Sequence, residues 1–172
     1  MASLGGPPSV ETLYGRHGPR IRRLCRLLLR DATEAEDAAQ EVLLKLVQER
    51  HGGRTHDAWD RWLTRVTVNT CRDRRRSAWW RRWREDHHEL RDDHLTTAET
   101  PEQVALGVET RGRIWVAFRA LPARQREVFA LRHVEGFSTA EVAAALGLSE
   151  GTAKRHLFRA VHRLRATLGG ER

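Results

Sequence analysis

The clearest chemistry in this sequence lies near its C-terminus, where basic residues and one aromatic residue share a helical face. Residues 152–168 hold five basic residues and no acid. Plotted at about 100° per residue, their apolar side chains fall within one arc and leave a basic face outside it. Basic side chains reach phosphates or guanine edges, and an aromatic ring can contact a thymine methyl group. The pattern predicts a DNA-binding face made of Lys154, Arg155, Phe158 and Arg159.

Signals for helix ends place that face on the second helix of a helix-turn-helix. Ser138 and Glu141 form a capping box that begins one helix. Gly147 can adopt the left-handed backbone that ends it, and Ser149 can cap the next helix after a short turn. This is the arrangement of DNA-binding helix-turn-helix proteins. The alternative is a plain helical hairpin whose basic face is only solvated.

A second basic stripe is predicted on a helix that begins near residue 58. Residues 54–84 contain ten arginines against three aspartates. Helical spacing places Trp59 and Leu63 on a core face. The adjacent face carries arginines and an amide that could contact a base edge. These side chains are Arg61, Arg65, Asn69, Arg72 and Arg76. By itself the stripe fits a solvated face equally well, but the basic face downstream favours DNA.

Charge and periodicity along the chain indicate an all-α protein of two small helical domains. The chain has 172 residues and a net charge of +8, which points to a polyanionic partner. No segment alternates with a two-residue period, and helical spacing recurs throughout. Residues 85–109 hold eight acids against one arginine. We therefore expect helical domains at 10–84 and 102–168, joined by a flexible acidic linker at 85–101.

The N-terminal part of the chain contains an acidic helix. Residues 31–41 hold five acids and no base. Thr33 and Glu36 are expected to form the capping box that begins this helix. An acidic helix face suits a basic partner helix, although acids in a first turn also complement the helix dipole. The face is therefore a candidate binding surface for a basic protein.

Several functional classes are disfavoured by what the sequence lacks. Its two cysteines and nine histidines show no zinc spacing, and no phosphate loop, nucleophile pairing or paired carboxylates stand out. We expect no metal, no cofactor and no enzymatic activity. No apolar run approaches the ~20 residues that span a bilayer, and the N-terminus lacks a signal peptide, so a cytoplasmic protein is expected. Cys25 and Cys71 are either a redox pair or ordinary buried thiols.

Three segments occur in the order typical of a known family. They are DATEAEDAAQEVLLKL (31–46), WLTRVTVNTCRDRRR (62–76) and LPARQREVFALRHVEGFSTAEVAAALGLSEGTAKRHLFRAVHRLR (121–165). Together they resemble the bacterial extracytoplasmic-function sigma factors, the small group IV members of the sigma-70 family. The resemblance implies sigma region 2 at 10–84 and sigma region 4 at 102–168. It also implies an alternative sigma factor that binds core RNA polymerase and directs promoter-specific transcription initiation, while the polymerase supplies the chemistry.

The same resemblance implies which residues meet the polymerase and the promoter. Region 2 would bind a coiled coil of the largest polymerase subunit through Asp31, Glu34, Asp37, Gln40 and Glu41. With the loop at 50–57, it would recognise and open the minus-10 element through Arg61, Arg65, Asn69, Thr70, Arg72, Asp73 and Arg76. Region 4 would bind the flap of the second-largest subunit and recognise the minus-35 element through Thr152, Lys154, Arg155, Phe158 and Arg159. Control by a separate anti-sigma protein is expected.

Other hypotheses stay open from the sequence. A stand-alone helix-turn-helix regulator would use the N-terminal half for dimerisation. The segment RRRSAWWRRWRED (74–86) contains three tryptophans, which could stack on unpaired bases, dock on another surface or pack on their own domain. The same segment could instead lie on a membrane surface. Ala153, Arg155 and His156 replace the family's usual residues in the recognition helix, so promoter preference does not carry over from relatives.

Overall fold

The computed structural model describes the backbone of residues 8–53, 59–85 and 105–169, and the side chains of 8–53, 59–78 and 111–169. Within these ranges the regular structure is helical without strands, which confirms the predicted all-α fold class. The helices are α1 (Val10–Leu28), α2 (Ala32–His51), α3 (Trp59–Glu85), α4 (Ala105–Arg119), α5 (Ala123–Phe129), α6 (Thr139–Leu146) and α7 (Glu150–Gly169). Helix α5 continues directly into a π-helical turn, Ala130–Val134.

Helices α1, α2 and α3 pack together as an N-terminal bundle. Helix α2 contributes small alanines that let the neighbouring backbones approach closely, and Leu63 and Val68 of α3 are fully buried against it and α1. The buried face of α1 includes Leu13, Ile21, Leu24 and Leu28. Fully burying a leucine side chain contributes about 1.5–3 kcal/mol. These apolar faces therefore fix the position of α3, the helix of the predicted basic stripe.

Helix α2 begins differently from the sequence-based prediction. Its N-cap is Asp31, whose Oδ1 accepts a hydrogen bond from the backbone N–H of Glu34 at 2.7 Å. The capping box predicted at Thr33 and Glu36 is therefore wrong, because Thr33 lies inside the first helical turn and Glu36 pairs with an arginine of α1. A carboxylate at the N-cap satisfies a free N–H and faces the positive end of the helix dipole. These two interactions of Asp31 favour a helix that begins at Ala32, before the predicted start.

Helices α4 to α7 form a C-terminal bundle that contains the predicted helix-turn-helix. Helix α6 begins with the predicted capping box: the Ser138 N–H donates to the Glu141 carboxylate at 2.9 Å, and the Glu141 N–H donates to the Ser138 hydroxyl at 3.2 Å. Helix α6 ends at Gly147, whose φ of +63° is left-handed. The hydroxyl of Ser149 accepts from the Thr152 N–H at 3.2 Å and caps α7. These contacts confirm the predicted helix-turn-helix.

The connection from α5 to α6 has an unusual backbone. Between Ala130 and Val134 the chain is π-helical, and the N–H of Glu135 donates to the carbonyl of Ala130 at 3.0 Å. Gly136 then adopts a left-handed φ of +73°, a conformation that residues with a Cβ rarely adopt. Glu135 lies between these two features, and its side chain contacts Arg20 and Arg23 of α1.

The two bundles are in direct contact. Helix α3 packs against α6, and α1 packs against α5 and the π-helical turn. At one end of this contact, the guanidinium of Arg126 in α5 donates to the carbonyl of Leu28 in α1 at 3.4 Å. Arg30 and Arg119 donate to each other's carbonyl oxygens nearby. The C-terminal bundle therefore covers part of the surface of α1 and α3.

Several sequence-based predictions fall outside the described residues. They are the acidic linker, most of the loop at 50–57, and the side chains of Trp79, Trp80 and Trp83. The backbone of α3 nevertheless continues as a helix through the tryptophan segment to Glu85. Among the helices that the structure describes, none is long and apolar enough to cross a membrane.

Candidate nucleic-acid and polymerase interfaces

The predicted recognition face lies on the exposed side of α7. Lys154, Arg155, Phe158 and Arg159 are exposed, while the alanines and the leucine on the opposite side are buried in the bundle. Phe158 is 71% exposed, the highest value among the exposed large hydrophobic residues in the described part of the chain. Lys154 pairs with Glu150 on the same helix at 3.7 Å. The face presents positive charge and an apolar ring to solvent, as expected for a surface that binds duplex DNA.

Thr152, the fifth residue predicted to contact the minus-35 element, lies in the first turn of α7 and is half-buried. Its hydroxyl is 2.9 Å from the hydroxyl of Ser149, and its backbone N–H is the group that Ser149 caps. Thr152 therefore helps to fix the turn that orients α7. The structure places all five predicted residues on the N-terminal half of this helix.

The seven residues predicted for minus-10 recognition lie together on α3, but in three different environments. The exposed members are Arg61, Arg65, Asn69, Asp73 and Arg76. Thr70 is buried, and its hydroxyl oxygen accepts a hydrogen bond from Nζ of Lys45 in α2 at 3.1 Å. Arg72 is half-buried and binds a carboxylate of the C-terminal bundle, and the exposed Arg61 binds another. In this conformation the exposed members alone are positioned to meet a nucleic acid.

The acidic face of α2 is partly neutralised by α3. Arg74 of α3 lies 3.1 Å from Glu41. It also lies 3.6 Å from Glu34 and 3.7 Å from Asp37. Lys45 is 2.8 Å from Glu41, and hydrogen bonds from Lys45 and Arg74 hold the pKa of Glu41 below its ordinary value. The Glu41 carboxylate is therefore charged at neutral pH and is shared between two cations.

The other two predicted polymerase contacts, Asp31 and Gln40, are exposed, and Asp31 also caps α2. Sequence reasoning missed the role of Arg74 because it considered only the arginines of the DNA-facing stripe on α3 and assigned no partner to Arg74. Helical geometry distinguishes them, since Arg74 is about 140° around the helix from Asn69. That angle was the available signal that Arg74 faces α2.

Glu127 of α5 is the centre of a buried ion-pair cluster between the bundles. Its side chain is 0% exposed, and Arg72 and Arg75 of α3 donate to it at 3.0 and 2.5 Å. Arg124, one turn away on α5, donates at 3.1 Å. Burial alone would raise the pKa of Glu127, but the hydrogen bonds from Arg72 and Arg75 outweigh it and hold that pKa below its ordinary value. The carboxylate is charged at neutral pH and binds three guanidinium groups.

Two further carboxylates of the C-terminal bundle bind arginines of the N-terminal bundle. Glu135, whose side chain is 1% exposed, accepts hydrogen bonds from Arg20 and Arg23 of α1. Glu141 of α6 accepts from Arg61 of α3 at 2.8 Å. The sequence separations across these pairs are 80, 112 and 115 residues. No local signal in the sequence marks partners so far apart.

The structure brings Cys25 of α1 and Cys71 of α3 together in the core of the N-terminal bundle. Both are free thiols and fully buried. A hydrogen bond with Cys25, together with burial, raises the pKa of Cys71. A buried, protonated thiol is a poor nucleophile, which favours a packing role. Within the described ranges, no group of three or more histidine, cysteine, aspartate or glutamate side chains could hold a metal ion.

His17 of α1 gives the fold a dependence on pH. It is buried, and its Nδ1 lies 3.2 Å from Oδ1 of Asp60. Burial lowers the pKa of His17 more than the neighbouring Asp60 raises it. The folded chain therefore binds fewer protons than the unfolded chain once the pH falls below the ordinary histidine pKa of about 6.5. We expect the free energy of unfolding to decrease between about pH 7.5 and about pH 5.5.

Urea denaturation at the two pH values measures this effect. His17→Asn, which keeps a hydrogen-bond donor but does not titrate, is expected to show a smaller decrease than the parent chain. His162→Asn on the exposed side of α7 is the matched control and should behave like the parent. An unchanged pH slope in His17→Asn would contradict the expectation.

Comparisons with known proteins match both halves of the chain. The family model for Sigma-70 region 2 matches residues 13–81, and the model for Sigma-70, region 4 matches residues 111–164. The chain is 33% identical over 161 residues to the ECF RNA polymerase sigma factor SigM of Mycobacterium tuberculosis, a match that covers 94% of this chain and 78% of that protein. It is 34% identical over 174 residues to the ECF RNA polymerase sigma factor SigL of the same organism, covering 98% and 96%.

Solved structures show the same fold. The sigma factor RpoE in complex with the anti-sigma factor NepR from Bartonella quintana has a TM-score of 0.74 at 23% identity, covering 94% of this chain and 98% of that one. CnrH in complex with the cytosolic domain of CnrY has a TM-score of 0.62 at 23% identity, covering 95% and 89%. The region 2 match assigns the N-terminal half to a sigma factor and not to the dimerisation module of a stand-alone regulator. The chain belongs to the extracytoplasmic-function sigma factors of RNA polymerase, the proteins that direct transcription initiation.

Proposed function

We propose that this alternative sigma factor docks on core RNA polymerase through α2 and recognises its promoters through α3 and α7. The observation that carries the proposal is the exposed basic face of α7, held by a fully capped helix-turn-helix. A second basic surface lies on a different bundle, which suits the two separated elements of a promoter. In this assignment residues 10–84 are region 2, residues 102–168 are region 4, and residues 85–101 connect them.

The N-terminal half of α7 binds the minus-35 element in the major groove. Lysine and arginine there can make bidentate contacts to guanine or neutralise phosphates, and the ring of Phe158 can contact a thymine methyl group. Burial of the opposite side of α7 supports this role, because it makes all of these side chains face the same way. The hydrogen bond between the hydroxyls of Ser149 and Thr152 stabilises the turn that orients α7.

The exposed part of the α3 stripe binds the opened minus-10 element. Arg65 and Arg76 neutralise phosphates of the separated strand, and the amide of Asn69 hydrogen-bonds to a base extruded from the stack. Asp73 can accept a hydrogen bond from an exocyclic amino group. Extruding a base costs free energy, which these contacts offset. The exposure of all four side chains supports the assignment.

The acidic face of α2 binds a coiled coil of the largest polymerase subunit, and region 4 binds the flap of the second-largest subunit. A charged, acidic helix face complements a basic partner helix. Because the polymerase performs the nucleotide chemistry, the sigma factor itself catalyses no reaction and uses no cofactor, and it acts in the cytoplasm. The structure of RpoE, which shares this fold, contains an anti-sigma factor. We extend the proposal to control of this chain by a separate anti-sigma protein.

Run-off transcription with purified core polymerase tests the proposed function. Templates come from transcription start sites that respond when the chain is overproduced. Core polymerase with the chain is expected to give promoter-dependent transcripts, and core polymerase alone is not. A gel shift with and without core polymerase provides the second measurement. Tight, specific binding by the chain alone, without promoter-dependent initiation, would contradict the proposal.

Asn69→Ala is expected to weaken opening at the minus-10 element by about 2- to 12-fold, because it removes one hydrogen bond to a base. Permanganate reactivity of thymines in the minus-10 element measures opening in the complex with core polymerase. Gln48→Ala, an exposed amide on α2, is the matched control and should leave opening unchanged. An equal loss of binding to promoter and random duplex would show that Asn69 does not act on the opened strand.

A further inference from the structure

Three arginines meet where the ends of α1 and α4 approach α5. The carbonyl oxygen of Arg119, the last residue of α4, accepts hydrogen bonds from Arg30 at 3.5 Å and from Arg126 at 3.0 Å. The guanidinium of Arg119 in turn donates to the carbonyl oxygen of Arg30. Arg126 also donates to the carbonyl oxygen of Leu28 at 3.4 Å. None of the three guanidinium groups pairs with a carboxylate in the described part of the chain.

Positive charge exceeds negative charge around Arg126. Burial, and then repulsion by three neighbouring arginines, lowers the pKa of Arg126 to about 10. Those neighbours are Arg30, Arg75 and Arg119. The nearby carboxylate of Glu127 acts in the opposite direction but is outweighed, and it is already bound by three guanidinium groups other than that of Arg126. Arg126 is therefore charged at neutral pH among groups that repel it.

Arg119 shows the same imbalance. Burial, followed by repulsion from Arg30, lowers the pKa of Arg119. Asp31 raises that pKa, but the two other effects outweigh it. The Asp31 carboxylate already accepts a hydrogen bond from the backbone N–H of Glu34 as the N-cap of α2. The one acid beside Arg119 thus does not neutralise the cluster.

Two guanidinium nitrogens of this region are buried without a hydrogen-bond partner among the described residues. They are Nε of Arg126 and Nη1 of Arg75. Arg126 is only 3% exposed, and buried polar atoms normally have a partner. A guanidinium group has five N–H donors, and the carbonyl oxygens at the ends of α1 and α4 use only some of those that converge here. An anion with several acceptor oxygens would use the others and offset the repulsion.

We propose that Arg30, Arg119 and Arg126 form a binding site for a small phosphate-bearing anion. A phosphate group carries up to two negative charges and three terminal acceptor oxygens, which suits three guanidinium groups better than the two oxygens of a carboxylate. Exposure decreases from Arg30, which is exposed, through Arg119, which is half-buried, to the buried Arg126. The cluster is therefore reached from solvent on the side of Arg30. This site goes beyond the proposed contacts with promoter and polymerase and does not depend on them.

Isothermal titration calorimetry of the full-length chain with sodium pyrophosphate tests the assignment. Ionic strength is held constant with sodium chloride in a phosphate-free buffer at neutral pH, so that general screening does not change during the titration. The parent chain is expected to bind pyrophosphate saturably, and to bind succinate, a dicarboxylate, much more weakly. Equal affinity for succinate and pyrophosphate would overturn the assignment to a phosphate-bearing ligand.

Two variants remove single charges from the site. Arg119→Gln is expected to weaken pyrophosphate binding by about tenfold or more, because a half-buried, charge-assisted hydrogen bond is lost. Arg30→Gln should weaken it by about two- to fivefold, since water screens an exposed charge. Arg126 is kept, because its side chain also binds the carbonyl oxygens at the ends of α1 and α4. Where circular dichroism shows that Arg119→Gln loses helix content, Arg30→Gln decides the result.

Arg16→Gln is the matched control, because it removes the same charge from an exposed position in the N-terminal half of α1. It should change pyrophosphate affinity by less than about twofold. Absence of saturable binding by the parent, or equal weakening in Arg16→Gln and Arg30→Gln, would overturn the site.

A short duplex of random sequence distinguishes a small anion from the phosphates of a nucleic acid. With the duplex present at saturating concentration, the affinity for pyrophosphate is expected to stay the same. Competition between the two would assign these arginines to the nucleic-acid backbone and overturn the proposal of a small ligand. The titrations contain no polymerase, so a failure of run-off transcription would contradict the proposed function separately.

Discussion

Arg155→Ala is expected to reduce initiation at promoters that depend on their minus-35 element by about 5- to 150-fold, the range for one bidentate base contact of about 1–3 kcal/mol. Arg155 is exposed near the middle of the proposed recognition face, one turn before Arg159. Alanine keeps the helix intact, since it has the highest intrinsic helix propensity. The measurement is run-off transcription on templates that carry single base-pair changes across the minus-35 element.

The decisive observation is how the loss of initiation in Arg155→Ala depends on the base sequence of the minus-35 element. The parent chain should discriminate strongly at one or two base pairs, and Arg155→Ala should discriminate less at those positions. Arg163→Ala, on the same helix two turns further on, is the matched control and should lower initiation weakly and uniformly if it touches a phosphate. An equal loss for Arg155→Ala on every template would mean that Arg155 contacts the DNA backbone and not a base.

Leu63→Ala is expected to lower the free energy of unfolding by about 2–5 kcal/mol, because it removes a buried side chain and leaves a cavity. Leu63 of α3 is 0% exposed in the core of the N-terminal bundle. Its loss is also expected to loosen the helix that carries both the proposed minus-10 surface and Arg74, so transcription should fall together with stability. Urea denaturation, monitored by helical circular dichroism, measures the change.

The matched control for Leu63→Ala is Leu44→Ala, which makes the same chemical change at a position on α2 that is 57% exposed. Substitutions at exposed positions usually change stability by no more than about 0.5 kcal/mol. Similar losses in the two variants would contradict the placement of Leu63 in the core, as would a loss below about 1 kcal/mol for Leu63→Ala.

Local features of the fold were predictable from the sequence because the groups that determine them lie within a few residues of one another. The capping box of Ser138 and Glu141, the left-handed Gly147 and the basic face of α7 all depend on contacts along one or two helical turns. The two-sided character of α7 follows from helical periodicity alone. The start of α2 was misplaced because two oxygen-bearing residues, Asp31 and Thr33, compete as caps, and the carboxylate prevails.

The environments of individual arginines on α3 were not predictable in the same way. Periodicity groups Arg61, Arg65 and Arg72 on one face, yet Arg61 and Arg65 are exposed while Arg72 is half-buried. Arg61 and Arg72 bind carboxylates of the C-terminal bundle. The partner of Arg72 is 55 residues further along the chain. Which acid reaches which arginine depends on how the two bundles dock, and no pattern within a helix encodes that geometry. Sequence reasoning could therefore identify the stripe, but not which of its arginines bind carboxylates of the C-terminal bundle.

The π-helical turn at Ala130–Val134 limits the changes in chain length that this connection tolerates. A π-helical turn accommodates one more residue than an α-helical turn. Deleting one residue there would restore α-helical spacing and rotate everything that follows by about 100° relative to α5. Glu135 would then point away from α1, whereas the caps of the helix-turn-helix, which use only nearby residues, would persist. The number of residues in this turn therefore determines how the promoter-binding module is rotated relative to the rest of the chain.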